Sequence, residues 1–354
     1  MINRIYTIDY LRGVLAFLIM VYHYMSWQEF LLPDATSFLT RSSLYGVSLF
    51  FIISGFSLTV TYYERFTYIN FTLIIDYWLK RFSRIYPLFW LIVSTYLILV
   101  YFGGKDFPSF IEIISNFTVT FALFPTLSGL TAGSWSIGIE IVFYIFFPFL
   151  IYFLHQFKRL ISGIFIIFIL LSMYISSYEM YSDCIEDGYW KIYMNLMNHV
   201  YFFIFGMLIA LVYLHKKNWF FANRFLLISG ILFIVILFKF YPLEGNIVTL
   251  LWQENRIFFS VCIFTLFILV LIYNSHIDNT KVINKILNYF GDISYTLYLL
   301  HPIIYLIVSH FFKSSSIVKS IIMIILTVLV STIVHFVYEI KMKDMILSWR
   351  KNGK

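Results

Sequence analysis

Long apolar runs, each near the length of a bilayer crossing, recur along the chain and are divided by short polar segments. About 20 apolar helical residues span the hydrocarbon core of a bilayer. The pattern predicts ten transmembrane helices, near 9–29, 44–63, 85–103, 135–154, 160–177, 196–214, 223–241, 255–274, 290–311 and 317–339. The run 110–124 is apolar but short and bounded by Pro108 and Pro125, so it reads as an interfacial or re-entrant element. Ten spans send eighteen of the twenty-five Lys and Arg residues to one side, among them Arg12, Lys80, Arg81, Arg84, Lys281 and Lys341. The other side receives Arg41, Lys105, Lys191, Lys239, Arg256, Lys313 and Lys319. A basic excess marks the cytoplasmic face, so both termini are expected there.

Composition agrees with this pattern. The chain of 354 residues is 61% hydrophobic and 12% charged, and a soluble core cannot hide so much apolar surface. The net charge of +7 is accounted for by topology, and no nucleic-acid partner is expected. Neither an internal repeat nor a low-complexity linker interrupts the spans. The expected fold is an all-α polytopic integral membrane protein, with residues 1–340 as a single transmembrane domain and 341–354 as a short basic cytoplasmic tail. Cys262 reads as embedded and Cys184 as lying in a polar loop, so no disulfide is expected. The first apolar run lacks a small-residue cleavage site and reads as a retained helix.

Against this background the first run, DYLRGVLAFLIMVYHY at 9–24, is unusual in carrying Arg12 and His23. Eleven residues of helix rise about 16.5 Å and turn about 1100°, which is three turns plus about 20°. The two side chains therefore share one face, with Arg12 at the interface and His23 deep. An arginine at a helix end is often a snorkelling anchor. A histidine at depth is costly, which points to a functional role; the plainer alternative is a neutral histidine hydrogen-bonded between helices.

These residues carry a resemblance. Arg12-x10-His23 within IDYLRGVLAFLIMVYHY resembles the signature of the acyltransferase-3 family of membrane-bound acyltransferases. GVSLFFIISGF at 46–56 is similar to that family's second-span motif, departing at Ser48 where an aspartate is common. KRFSRIYPLFW at 80–90 resembles its basic loop, and SWSIGIEIVFYIFFP at 134–148 its Trp-Ser-x-x-x-Glu segment. FFIFGMLIA at 202–210 and SYTLYLLHP at 294–302 follow in the same order. The resemblance implies transfer of an acyl group, usually acetyl from acetyl-CoA, to an extracytoplasmic glycan or a small molecule. A polysaccharide O-acetyltransferase of the cell envelope, in the bacterial cytoplasmic membrane, is the form it points to.

A slot with cations at its mouth and a base in its depth suits an acyl-CoA, whose polyanionic end stays near water while the thioester reaches inward. Arg12, Arg81 and Arg84 are the candidate phosphate ligands, because guanidinium forms paired hydrogen bonds to phosphate. His23 is the candidate general base, since an unperturbed imidazole titrates near neutrality. Glu140, the one acid expected well inside a span, falls at a matching depth and is expected to orient His23 and steady its cation. Ser136, one turn before Glu140, is a candidate for binding substrate or the carboxylate. Trp135 and His301 are further substrate-binding candidates, with His301 equally able to brace a helix kinked at Pro302. His199 and His335 are expected to pack. The scattered histidines do not give metal-ligand spacing, and no metal is expected. A covalent acyl-His23 intermediate and direct transfer both remain open. The partners expected are bilayer lipid, an acyl-CoA and a glycan or lipid-linked glycan. The same residues also allow a transporter or flippase of a lipid-linked saccharide, with His23 and Glu140 as a proton relay.

Overall fold

The computed structural model describes residues 4–30, 34–104, 106–124, 127–179, 189–215, 223–278, 280–313 and 315–352. Among these the chain is helical, with one isolated antiparallel bridge between Asp34 and Asn246. The helices in order are α1 Tyr6–Trp27, α2 Phe38–Tyr62, α3 Phe71–Phe102, α4 Phe110–Thr118, α5 Ser134–Gln156, α6 Lys158–Tyr174 and α7 Tyr189–Tyr193. They continue with α8 Val200–His215, α9 Arg224–Phe240, α10 Gln253–Tyr273, α11 Val282–Phe311, α12 Ile317–Val334 and α13 Ile340–Asn352. A helix satisfies its own backbone hydrogen bonds, which a chain in lipid requires. Polar caps set several starts: Ser37 for α2, Asn70 for α3, Asn223 for α9 and Ser316 for α12.

Among the described residues, seven helices are long and apolar enough to cross a membrane: Tyr6–Trp27, Phe38–Arg65, Phe71–Phe102, Ser134–Gln156, Gln253–His276, Val282–Phe311 and Ile317–Arg350. The other three expected spans coincide with α6, α8 and α9, of 17, 16 and 17 residues. The run 110–124 forms the short α4, followed by a 3-10 turn over Thr120–Leu123. Serine 109 and Glu112 close a capping box at its start, and the hydrogen bonds from Ser109 hold the Glu112 carboxyl below its ordinary range. Two boundaries move substantially. α3 begins at Phe71 rather than 85, so Arg81 and Arg84 lie within a helix and not in a basic loop. α11 begins at Val282 rather than 290. The expected basic tail is helix α13, where Arg350 pairs with Asp76 of α3 at 2.5 Å. Cys262 is buried and free, and Cys184 lies outside the described residues.

The helices form two compact units, one of residues 1–22, 32–67 and 150–292, the other of 23–31, 68–149 and 293–354. In the first, α2 and α8 meet backbone to backbone. A Cβ on Gly55 would strike the Phe203 carbonyl, and one on Gly206 would strike the Ile52 carbonyl and approach the Phe56 nitrogen at 2.9 Å. The same reciprocal device joins α1 to α11. A Cβ on Gly13 would sit 2.7 Å from the backbone of Phe290 and Gly291, and one on Gly291 would sit 2.5 Å from the Asp9 carbonyl. Small residues let helices in lipid approach closely enough for dense packing.

The first unit also buries two arginines, Arg41 and Arg256, each 1% exposed. Arg41 donates from Nε to the Ala35 carbonyl at 2.7 Å, and from its terminal nitrogens to Phe238, Lys239 and Tyr241 carbonyls at 2.9 Å each. Three of those carbonyls belong to the C-terminal end of α9, where a helix leaves acceptors unfilled. Replacing Arg41 by glutamine strands buried carbonyls and is expected to cost about 3 kcal/mol or more. Thermal unfolding in detergent measures this; an unchanged midpoint would mean that other donors reach those carbonyls.

In the second unit α13 and α3 pack together, and two tyrosines clasp α3 near Pro87. The Tyr295 hydroxyl donates to the Ile85 carbonyl at 2.9 Å, and the Tyr338 hydroxyl to the Pro87 carbonyl at 3.1 Å.

Candidate active site

α1 runs unbroken from Tyr6 to Trp27, so Arg12 and His23 keep the helical phase read from the sequence. Arg12 is 21% exposed in its side chain, with Asp9 at 3.7 Å and Ser57 Oγ at 3.4 Å. Asp9 also takes a 2.7 Å ion pair from Arg4, which pairs in turn with Asp292 at 2.9 Å.

The second unit gathers the deep polar groups. His23 is half-buried, and its Nδ1 lies 2.9 Å from Nε2 of the fully buried His301. The two rings are nearly coplanar in orientation, 9° apart, with centroids at 5.0 Å. Trp27, one turn after His23, stacks on His23 at 4.8 Å and on His301 at 5.8 Å. The Tyr24 hydroxyl meets the His301 carbonyl at 2.9 Å and Thr327 Oγ1 at 2.6 Å, and Tyr305 donates to the Trp27 carbonyl at 3.0 Å. Residues 23, 24, 27 and 28 follow helical spacing, so α1 presents one aromatic and polar stripe to α11 and α12.

His301 precedes Pro302 within α11. Proline lacks an N–H, so the carbonyl four residues earlier, on Tyr298, loses its helical donor. The Leu297 and Tyr298 carbonyls lie nearest the His301 ring on its own helix, and His301 Nδ1 closes no hydrogen bond. His301 thus stands beside the proline interruption and touches His23 at once.

On α5, Ser136, Glu140 and Tyr144 occupy successive turns of one face. Ser136 Oγ donates to the Gly133 carbonyl at 2.8 Å and meets the Tyr298 hydroxyl at 2.9 Å. The Tyr144 hydroxyl donates to Glu140. Glu140 is half-buried and within electrostatic range of Tyr298 and Tyr295. Arg81 and Arg84 act on Tyr144, and Arg84 also on Tyr295. Arg84 is exposed and Arg81 half-buried. Gly133, at φ +86°, packs under Tyr298, whose ring lies 3.0 Å from where a Cβ would stand. Trp135 is half-buried at the start of α5.

A family model described as an acyltransferase domain matches residues 5–336, almost the whole chain. The chain belongs to the acyltransferase-3 family. No curated protein and no solved structure matches it. With its seven long apolar helices, this member of the family is a multi-pass membrane protein. The family-like segments now have places. The Arg12 to His23 segment is α1, the Gly55 and Gly206 segments form the α2–α8 contact, and KRFSRIYPLFW lies within α3. The segments SWSIGIEIVFYIFFP and SYTLYLLHP bring Ser136 to Tyr298.

Two features escaped the sequence. The partner of His23 is one: His301 lies 278 residues away and reads alone as a kink brace. Glu339 is the other. It stands at the edge of the last expected span, yet it is 8% exposed, accepts from Thr296 Oγ1 at 2.7 Å and lies 2.8 Å from His335 Nδ1. Glu140 is therefore not the only embedded acid. His335, expected merely to pack, holds an acidic partner in the five-residue π turn His335–Glu339. His199 is buried, with Nε2 2.6 Å from the Tyr193 carbonyl.

Proposed function

We propose that the protein is an O-acyltransferase of the cytoplasmic membrane that moves acetyl from acetyl-CoA to a hydroxyl of a cell-surface polysaccharide or its lipid-linked precursor. The observation that supports it is the 2.9 Å contact between His23 and His301. Two neutral imidazoles sharing one hydrogen bond need one donor and one acceptor. We assign the His301 proton to Nδ1, on the side of the carbonyl that Pro302 leaves open, so that its Nε2 accepts. His23 then donates from Nδ1, and we assign its Nε2 to the substrate hydroxyl. A base oriented by a third group is the arrangement nucleophile activation requires.

In the reaction, His23 Nε2 takes the hydroxyl proton as the oxygen attacks the thioester carbonyl carbon. The carbon–sulfur bond breaks, and the sulfur leaves as CoA thiol once it regains a proton from the imidazolium. Glu140, which accepts a hydrogen bond from Tyr144, is the acid assigned to steady that cation. Arg81 and Arg84 of the second unit are the phosphate ligands assigned to the donor. Trp135 and Ser136 help hold the acceptor. Ten spans, with α6, α8 and α9 as the short ones and both termini cytoplasmic, complete the proposal.

The class is tested by incubating purified protein with labelled acetyl-CoA and a polysaccharide acceptor, following free CoA thiol and acetylated glycan together. Release of both in equal amounts is expected. A transporter would release no CoA, and that result would end this reading.

A further inference from the structure

The first unit contains a cavity of about 490 Å³ that the reaction above does not use. It lies among the start of α1, the start of α9, the end of α10 and the start of α11, with Tyr10, Val14, Arg224, Tyr273 and Lys281 in its lining. Four helix ends converge there, which sets the cavity at a membrane–water boundary. Its rim is polar, and its inner wall continues through Val14, which stands eight residues into α1, or about 12 Å along the helix.

The charge of the rim is specific. Arg224 and Lys281 bring two cations, both exposed. Asp278 brings one anion, and hydrogen bonds from the Thr280 hydroxyl and backbone N–H, at 2.7 and 3.1 Å, keep its carboxyl below the ordinary range, with Lys281 adding to the effect. Among the described lining residues, two cations and one anion thus stand beside an apolar wall. His276 and Tyr273 add ring nitrogens and a hydroxyl to the same rim.

Helical phase separates this cavity from Arg12. At about 100° per residue, Thr7, Tyr10, Leu11 and Val14 cluster on one side of α1, and Arg12 points about 150° away. A guanidinium on the opposite side cannot share a ligand headgroup held here. The polyanionic donor also mismatches a rim whose described residues place Asp278 beside the two cations.

We infer that this cavity binds a lipid with a phosphate headgroup, the phosphate between Arg224 and Lys281 and the first part of an acyl or prenyl chain along Val14. Two sources offer that chemistry, an anionic phospholipid of the bilayer and a polyprenyl phosphate carrier.

Native mass spectrometry of the detergent-purified protein tests this without any turnover, so the outcome is independent of the reaction proposed above. Phosphatidylglycerol is expected to stay bound as one molecule, and phosphatidylcholine to wash away. The double substitution Arg224→Gln with Lys281→Gln should weaken phosphatidylglycerol retention at least tenfold. Val14→Trp, which leaves every charge in place and fills the apolar wall, should exclude the lipid as well, and it carries the test if the charge variant fails to elute as a single species. Displacement of phosphatidylglycerol by polyprenyl phosphate would support the site and name the carrier as its source. Equal retention of both phospholipids, undiminished binding by both variants, or displacement by CoA would overturn the inference.

Discussion

His23→Ala is expected to lower acyl-transfer turnover by about 10²–10⁴-fold, the usual contribution of a positioned general base. Release of CoA at saturating donor, from protein that still elutes as one species, is the measurement. His301 gives the sharper version of the test. His301→Ala removes the acceptor that fixes the proton on His23 Nδ1, so His23 loses its preferred tautomer and the rate should fall by about tenfold or more. His301→Gln keeps an acceptor oxygen on a side chain of similar reach and should recover part of that loss. A structural brace alone would predict that both substitutions act through stability and leave turnover per folded molecule unchanged. Acidification should slow the wild-type enzyme, because protonating His23 occupies the lone pair that takes the hydroxyl proton. Full turnover by His23→Ala would sink the mechanism.

Gly206→Val is expected to break the α2–α8 contact. Even a single methyl at Gly206 meets the Ile52 carbonyl, and the obstacle is backbone, which cannot rotate aside. Overpacking of this kind costs about 1–3 kcal/mol for one small side chain. Gly55→Ala meets the Phe203 carbonyl in the same manner, and because the two glycines serve one crossing, their costs should not add. Gly163 on α6 has open space around its missing Cβ and is the internal control: Gly163→Ala should be neutral or slightly stabilising. Unfolding in mixed detergent ranks the three. If Gly206→Val matches Gly163→Ala, the helices do not approach as closely as the backbone positions state.

The helical class was legible because the bilayer imposes one length and one hydrogen-bonding solution, so apolar runs translate directly into helices. The start of α3 was not. Asp76, Lys80, Arg81 and Arg84 look like a loop when hydropathy alone is read, yet Asn70 caps the helix at its first turn and Arg350 takes up Asp76. Long cationic side chains can leave a helix sideways while its backbone continues. His23 was legible as a titratable group at depth. Its partner was not, because sequence gives the depth of a residue along its helix but not which neighbouring helix its face meets. Glu140 satisfied the depth argument, and so did His301; only the packing of α1 against α11 brings His301 to 2.9 Å. Glu339 was missed because it stands where the apolar run ends, and sequence does not show that Thr296 and His335 meet its carboxyl group there.

Arg41 bears on the order in which this protein is made. Three of the four carbonyls that hold its guanidinium lie nearly two hundred residues downstream, the nearest being 197 positions later. At about 5–20 residues per second, a ribosome needs roughly 10–40 s to supply them. Throughout that interval α2 carries a cation with only the Ala35 carbonyl, of its four permanent acceptors, already synthesised. Biogenesis of the first unit closes only when the growing polypeptide has delivered α9, the far side of its own clasp.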